Sequence, residues 1–199
     1  MTDEVLNANE IVRLFNRTFL HTYHTELIQG GSEPLYLPAA RNRAYHQIVF
    51  SHDYVRSALH EISHWCVAGK VRRHLLDYGY WYAPDGRNAA QQADFLKMEV
   101  KPQAYEWLLS LCAQIQFEVS LDNLNAPHAV QSQQKLQFTQ DVVEYAQTLY
   151  KNGLPERLLS MCETLCNFHE TTMPNFYELE HYAHSLLNQC CQKEGLRAV

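Results

Sequence analysis

The residues best suited to chemistry are His60-Glu61-Ile62-Ser63-His64. On a helix, side chains four apart share a face one turn up, so both imidazoles can reach one divalent ion. Glu61 sits beside that face, where it can accept a proton or orient a bound water. With 11 histidines and 15 glutamates in 199 residues, chance yields this pattern in roughly one such chain in twenty. The pentapeptide alone therefore leaves open a plain pair of histidines on a buried helix. Its surroundings favour the metal. Leu59, Ile62 and Val67 can bury the helix, and Trp65 and Cys66 add bulk. Four ring nitrogens then need partners, and one ion satisfies a nitrogen on each ring.

A site of this kind needs a third protein ligand. Metalloproteases that add a histidine six residues on also need a glycine between, but here Val67 and Lys70 hold those two positions. The candidate is Glu99, followed by Gln103 and Glu106 to make one polar stripe on an otherwise apolar helix. The alternative is a solvated face shared with Lys97 and Lys101. Two histidines and one carboxylate suit zinc hydrolysis, with Glu61 as general base, and ferrous oxygen chemistry equally well.

The elements that must position these groups are mostly helical. Apolar spacing predicts a helix from about Glu4 to Tyr23, and a second from Tyr54 to about Gly69. Short strands are expected at Leu35–Leu37, Ile48–Phe50 and Phe117–Ser120. Asp77–Arg87 reads as a strand or ordered loop around the Pro84-Asp85-Gly86 turn. Gln91–Ile115 reads as one or two helices interrupted by Pro102, with a kink expected there. Helix dominates from Gln133 to Gln192, broken near Gly153–Pro155 and at Pro174. The expected architecture is α+β: a helix-dominated single domain over residues 1–199, with a small β-sheet and a zincin-like HExxH helix. Its C-terminal part, about 158–199, is expected to be helical.

Composition narrows the classes. A net charge of −6 argues against a general grip on nucleic acid or anionic membrane. Apolar runs fall far short of a membrane span, and no signal-peptide core is visible. Six cysteines without a CxxC pair read as reduced, packed thiols in a cytoplasmic protein.

Longer blocks resemble the elongation factor P hydroxylase family: Ser57 to Cys66, Ala68-Gly69-Lys70, Gly79-Tyr80-Trp81-Tyr82, Pro84-Asp85-Gly86-Arg87 and Glu99 to Ala104. Tyr36-Leu37-Pro38-Ala39, Ser120 with Asp122-Asn123-Leu124, and Gly153 to Arg157 extend the likeness, in order, over about Pro34 to Arg157. The resemblance implies a non-haem iron-dependent protein-lysine hydroxylase. Its substrate would be translation elongation factor P, on a lysine already extended by a β-lysyl group. It maps His60, His64 and Glu99 onto the metal ligands, with Glu61 beside them as a catalytic group. It implies Fe(II), with zinc or another divalent ion possible in a purified sample, and molecular oxygen as co-substrate. The competing readings are a zinc-dependent peptidase and a non-catalytic adaptor of the translation factor. On the chemistry of such a substrate, Tyr80 and Tyr82 would line the channel for its aliphatic stem together with Tyr78 and Trp81. Asp85 would meet an ammonium group. Arg87 would hold a carboxylate, on the partner or within this protein.

Overall fold

The computed structural model describes residues 6–52, 54–79, 87–122 and 128–196. The described residues form six α-helices and a three-stranded sheet against which the first two helices pack, so the expected α+β architecture is present. The first helix, α1 (Ala8–Tyr23), is capped by the Asn7 side chain, which accepts from the amides of Asn9 and Glu10. It buries Ile11, Leu14, Phe15 and Phe19 on one stripe.

The sheet contains a strand that sequence reading missed, β1 (Thr25–Gln29), beside β2 (Leu35–Leu37) and β3 (His46–Phe50). Central β3 pairs parallel with β1 and antiparallel with β2. The side-chain amide of Asn16 covers the outer edge of β1. Its Oδ1 accepts from the Leu27 amide at 2.7 Å and its Nδ2 donates to the Leu27 carbonyl at 3.1 Å. Gly30 is required where β1 meets β3, because a Cβ there would sit 2.2 Å from Cγ1 of Val49.

The helix bearing the histidines, α2 (Val55–Val67), follows β3 directly. Its buried back carries Trp65, whose ring packs against Phe15, Phe19 and Tyr23 of α1 at centroid distances of 5.2, 4.9 and 5.4 Å. At its C-terminus Arg157 donates to the carbonyls of Trp65 and Ala68 and lies 4.7 Å over the Trp65 ring. A cation there suits both the orphan carbonyls and the helix dipole.

Next in the chain is α3 (Ala89–Cys112), opened by a capping box between Asn88 and Gln91. It runs unbroken through Pro102, so the expected interruption is not present. The missing N–H leaves the Met98 carbonyl without its helical donor, on the side of α3 where Met98 is exposed. Packing on several sides, against α2 and two helices later in the chain, holds the helix together, since Ala104, Tyr105, Trp107, Leu108 and Leu109 are all buried.

Residues 117–122 do not form the expected strand. The backbone groups of Ser120 and Leu121 are met instead by side chains of α3. The segment expected as strand or loop from Asp77 begins with a 3-10 turn, Leu76–Gly79, in which Asp77 and Tyr78 are both left-handed. The Asp77 carboxylate accepts from the Tyr36 amide at 2.8 Å and Arg72 donates to the Tyr78 carbonyl at 3.0 Å, bonds that hold this strained pair. Three helices complete the chain: α4 (His128–Asn152), α5 (Glu156–Phe168) and α6 (Phe176–Lys193). They agree with the expected helical C-terminal part and its breaks at Gly153–Pro155 and Pro174. All six cysteines are free and buried, as small apolar side chains would be. No described helix is long and apolar enough to cross a membrane.

Candidate metal centre

The site lies on the seam between α2 and α3. His60 and His64 project from successive turns of α2, and their Nε2 atoms stand 3.0 Å apart. Glu99 meets them from α3, with Oε1 3.5 Å from His64 Nε2 and Oε2 4.0 Å from His60 Nε2. Among the described residues this is the one group of three such donors that converges. Two donors each about 2.1 Å from an ion stand roughly 3.0–3.4 Å apart in octahedral or tetrahedral geometry. The histidine pair falls in that range and the carboxylate falls just outside it, so the donor set fits a divalent ion.

Neighbouring groups fix the rings. Nδ1 of His60 donates to Oε2 of Glu106 at 2.8 Å, which leaves Nε2 as the atom facing the site. Burial works against a charge on His60, but the Glu106 carboxylate overrides it and pushes the pKa up to about 10. His64, buried with His60 beside it, is held well below its usual value. The two facing nitrogens therefore hold one proton between them, and a divalent ion would displace it.

Glu99 is 3% exposed. Burial raises its pKa, with His60 and a bond from Gln103 opposing. That bond is 3.3 Å, from Gln103 Nε2 to Oε2 of Glu99. The rest of the Gln103 amide pairs with the Ser120 peptide, accepting from its N–H at 3.0 Å and donating to its C=O at 2.9 Å. The segment 117–122 thus finds on α3 the partner that a neighbouring strand would have supplied. Gln92 adds a bond to the Leu121 carbonyl at 2.6 Å. Glu61 is half-buried, and its pKa is pushed up to about 7, first by burial, then by Glu99, Glu106 and Asp77 against the pull of His60. A carboxyl poised near neutrality can hold or release a proton.

The structure brings His60, His64 and Glu99 within reach of one another and places Glu61 next to His60 on α2. The solvated-face alternative for Glu99 is excluded by its burial. Arg87 is almost fully buried. It pairs with Asp122 at 2.8 Å, donates to Gln92 at 2.9 Å and stacks 4.0 Å over Phe95. The carboxylate it holds here belongs to this protein. Tyr78 is buried and stacks on Tyr36 at 4.0 Å, as a core ring does. Tyr80, Trp81, Tyr82 and Asp85 lie outside the described residues. The roles of Glu106 and Arg157 were not read from sequence. The signal for Glu106 was its place on the polar stripe, seven residues after Glu99.

The family model described as elongation factor P hydroxylase matches residues 14–179. The chain belongs to this family. It is 45% identical over 163 residues to the elongation factor P lysine hydroxylase of Haemophilus influenzae, covering 81% of this chain and 89% of that relative. The family match reaches past Arg157 through α5 into α6, further than the blocks visible by eye.

Glu106 gives a direct test of how the ring is held. Glu106→Gln is expected to weaken divalent-metal binding about 10–100-fold, because a neutral amide no longer orients and polarises His60. Competition with a chelator measures this, and unchanged affinity would remove Glu106 from the site.

Proposed function

We propose that this chain hydroxylates the β-lysylated lysine side chain of translation elongation factor P, using Fe(II), molecular oxygen and a two-electron reductant, so that one oxygen atom enters a C–H bond and the other leaves as water with two protons. The observation that carries the reading is the convergence of His60, His64 and Glu99 in a member of the elongation factor P hydroxylase family. The hydroxylated lysine enters from the relative's name, elongation factor P lysine hydroxylase. The choice of metal rests on chemistry. An unactivated aliphatic carbon yields to neither acid nor base, and iron supplies the one-electron and dioxygen reactivity that zinc lacks.

The chain's own residues would divide the work as follows. His60, His64 and Glu99 hold the ion, and Glu99 lowers the net charge of the site by one. Glu106 keeps the His60 ring turned with Nε2 forward. Gln103 fixes the rotamer of Glu99. Glu61 accepts or returns a proton beside the ligands. Glu61, Glu99 and Glu106 together give the site an excess of carboxylates, which favours the ammonium groups of a doubly cationic side chain. Tyr80, Tyr82 and Asp85 are proposed to line the approach. Arg87 would act by fixing the ends of the segments on either side of α3. The enzyme is proposed to act in the cytoplasm, as one domain over residues 1–199.

Mass spectrometry of β-lysylated elongation factor P, incubated in air with iron-loaded protein and excess ascorbate as reductant, tests the reading. One added oxygen atom on the modified lysine is expected. An unchanged mass with fully loaded protein overturns it.

A further inference from the structure

The α2–α3 seam does not end at the metal centre. One turn beyond His64, between Val67 and the stretch of α3 that carries Lys97, Met98 and Lys101, it opens into a groove of about 570 Å³. Val71 and Met98, which line it, are 78% and 43% exposed. Its rim is cationic, with Lys70, Arg72, Lys97 and Lys101. The described anion beside it is Asp94, which meets Lys97 at 3.3 Å on the open surface. A chain of net charge −6 thus gathers four cations around exposed apolar side chains, next to its ligand-bearing turns.

We propose that this groove docks an acidic surface of the protein substrate beside the side chain being modified, an inference that rests on the function proposed above. The physical argument is a division of sign. The metal centre is rich in carboxylates and suits a cationic side chain. The groove has the opposite sign and suits Asp and Glu residues flanking that side chain. A substrate presenting a cation within an acidic surface matches both, while a free cationic amino acid matches only the first. Exposed apolar side chains set among charged ones are the make-up of a protein contact. Among the described residues no aromatic ring lines the groove to stack a base, which favours carboxylates over nucleic acid.

Lys70 and Lys97 carry the test because both are exposed and neither touches the metal ligands. Binding of fluorescently labelled elongation factor P is measured by anisotropy at about 50 and about 200 mM salt, with screening lengths of roughly 14 and 7 Å. The full-length double variant Lys70→Glu/Lys97→Glu is expected to bind about tenfold or more weakly, with a flatter salt dependence and unchanged metal content. Lys70→Ala/Lys97→Ala should fall between. Unchanged affinity and salt slope in the reversed variant overturns the groove. So does a single-stranded RNA that the wild type binds and the variant loses while factor binding stays intact. Hydroxylation by the wild type, followed alongside, separates the two readings: product formed with no affinity change in the variant sinks the groove alone.

Discussion

Replacing His64 with alanine is expected to abolish hydroxylation of elongation factor P and to reduce the bound divalent metal, iron in the proposed function, to background, with the helical circular dichroism retained. Little of the fold depends on the imidazole. The back of α2 is held by Leu59, Ile62 and Trp65, all fully buried, while His64 contributes to the seam through His60 and Glu99. Removing it leaves one nitrogen and one carboxylate, too few to hold an ion at an open site. Glu99→Gln is the sharper companion. The amide keeps the shape and can still meet Gln103, but it loses the negative charge. Elemental analysis should show the same loss of iron. Full occupancy in either variant would move the ligand set elsewhere.

The largest stability effect is expected at Trp65. Its ring fills the space between α1 and α2 and is covered by Phe15, Phe19, Tyr23 and Arg157. Trp65→Ala should lower unfolding free energy by about 3–5 kcal/mol, a large share of the roughly 5–15 kcal/mol typical of a domain. Trp65→Phe should cost less than its lost volume implies. The buried indole N–H has no hydrogen-bond partner, and phenylalanine removes that desolvated donor along with the lost contacts. Denaturant titration of both variants checks the order. Equal losses would show that the N–H carries no penalty.

Much of this molecule was legible in its residues, for reasons that differ by element. The helices of the C-terminal part were marked by Gly153, Pro155 and Pro174, because such breakers act locally. The histidine pair was legible because four-residue spacing on a helix is itself a geometry. Strand β1 was not, since Thr25–Gln29 is short and its edge is closed by Asn16 of another element. The strand expected at Phe117–Ser120 failed for the converse reason. Its alternation is real, but its Ser120 peptide is satisfied by one glutamine side chain instead of a neighbouring strand. Pro102 was read as a break because a local rule counts the lost bond and not the apolar contacts on either side of it. Glu106 lay in view on the stripe, yet its bond to His60 spans 46 positions in sequence, and spacing along one helix cannot foretell which ring it meets.

The six buried thiols bear on how the chain can be watched. Cys162 and Cys166 lie within α5, Cys66 and Cys112 at the C-terminal ends of α2 and α3, and Cys190 and Cys191 in the last turn of α6, near the end of the described residues. A thiol reagent therefore reports excursions of the backbone and not the surface of the native molecule. Because helix ends fray at lower free energy than centres, labelling of the Cys190–Cys191 pair times local fraying, while Cys162 within α5 times opening of the whole core.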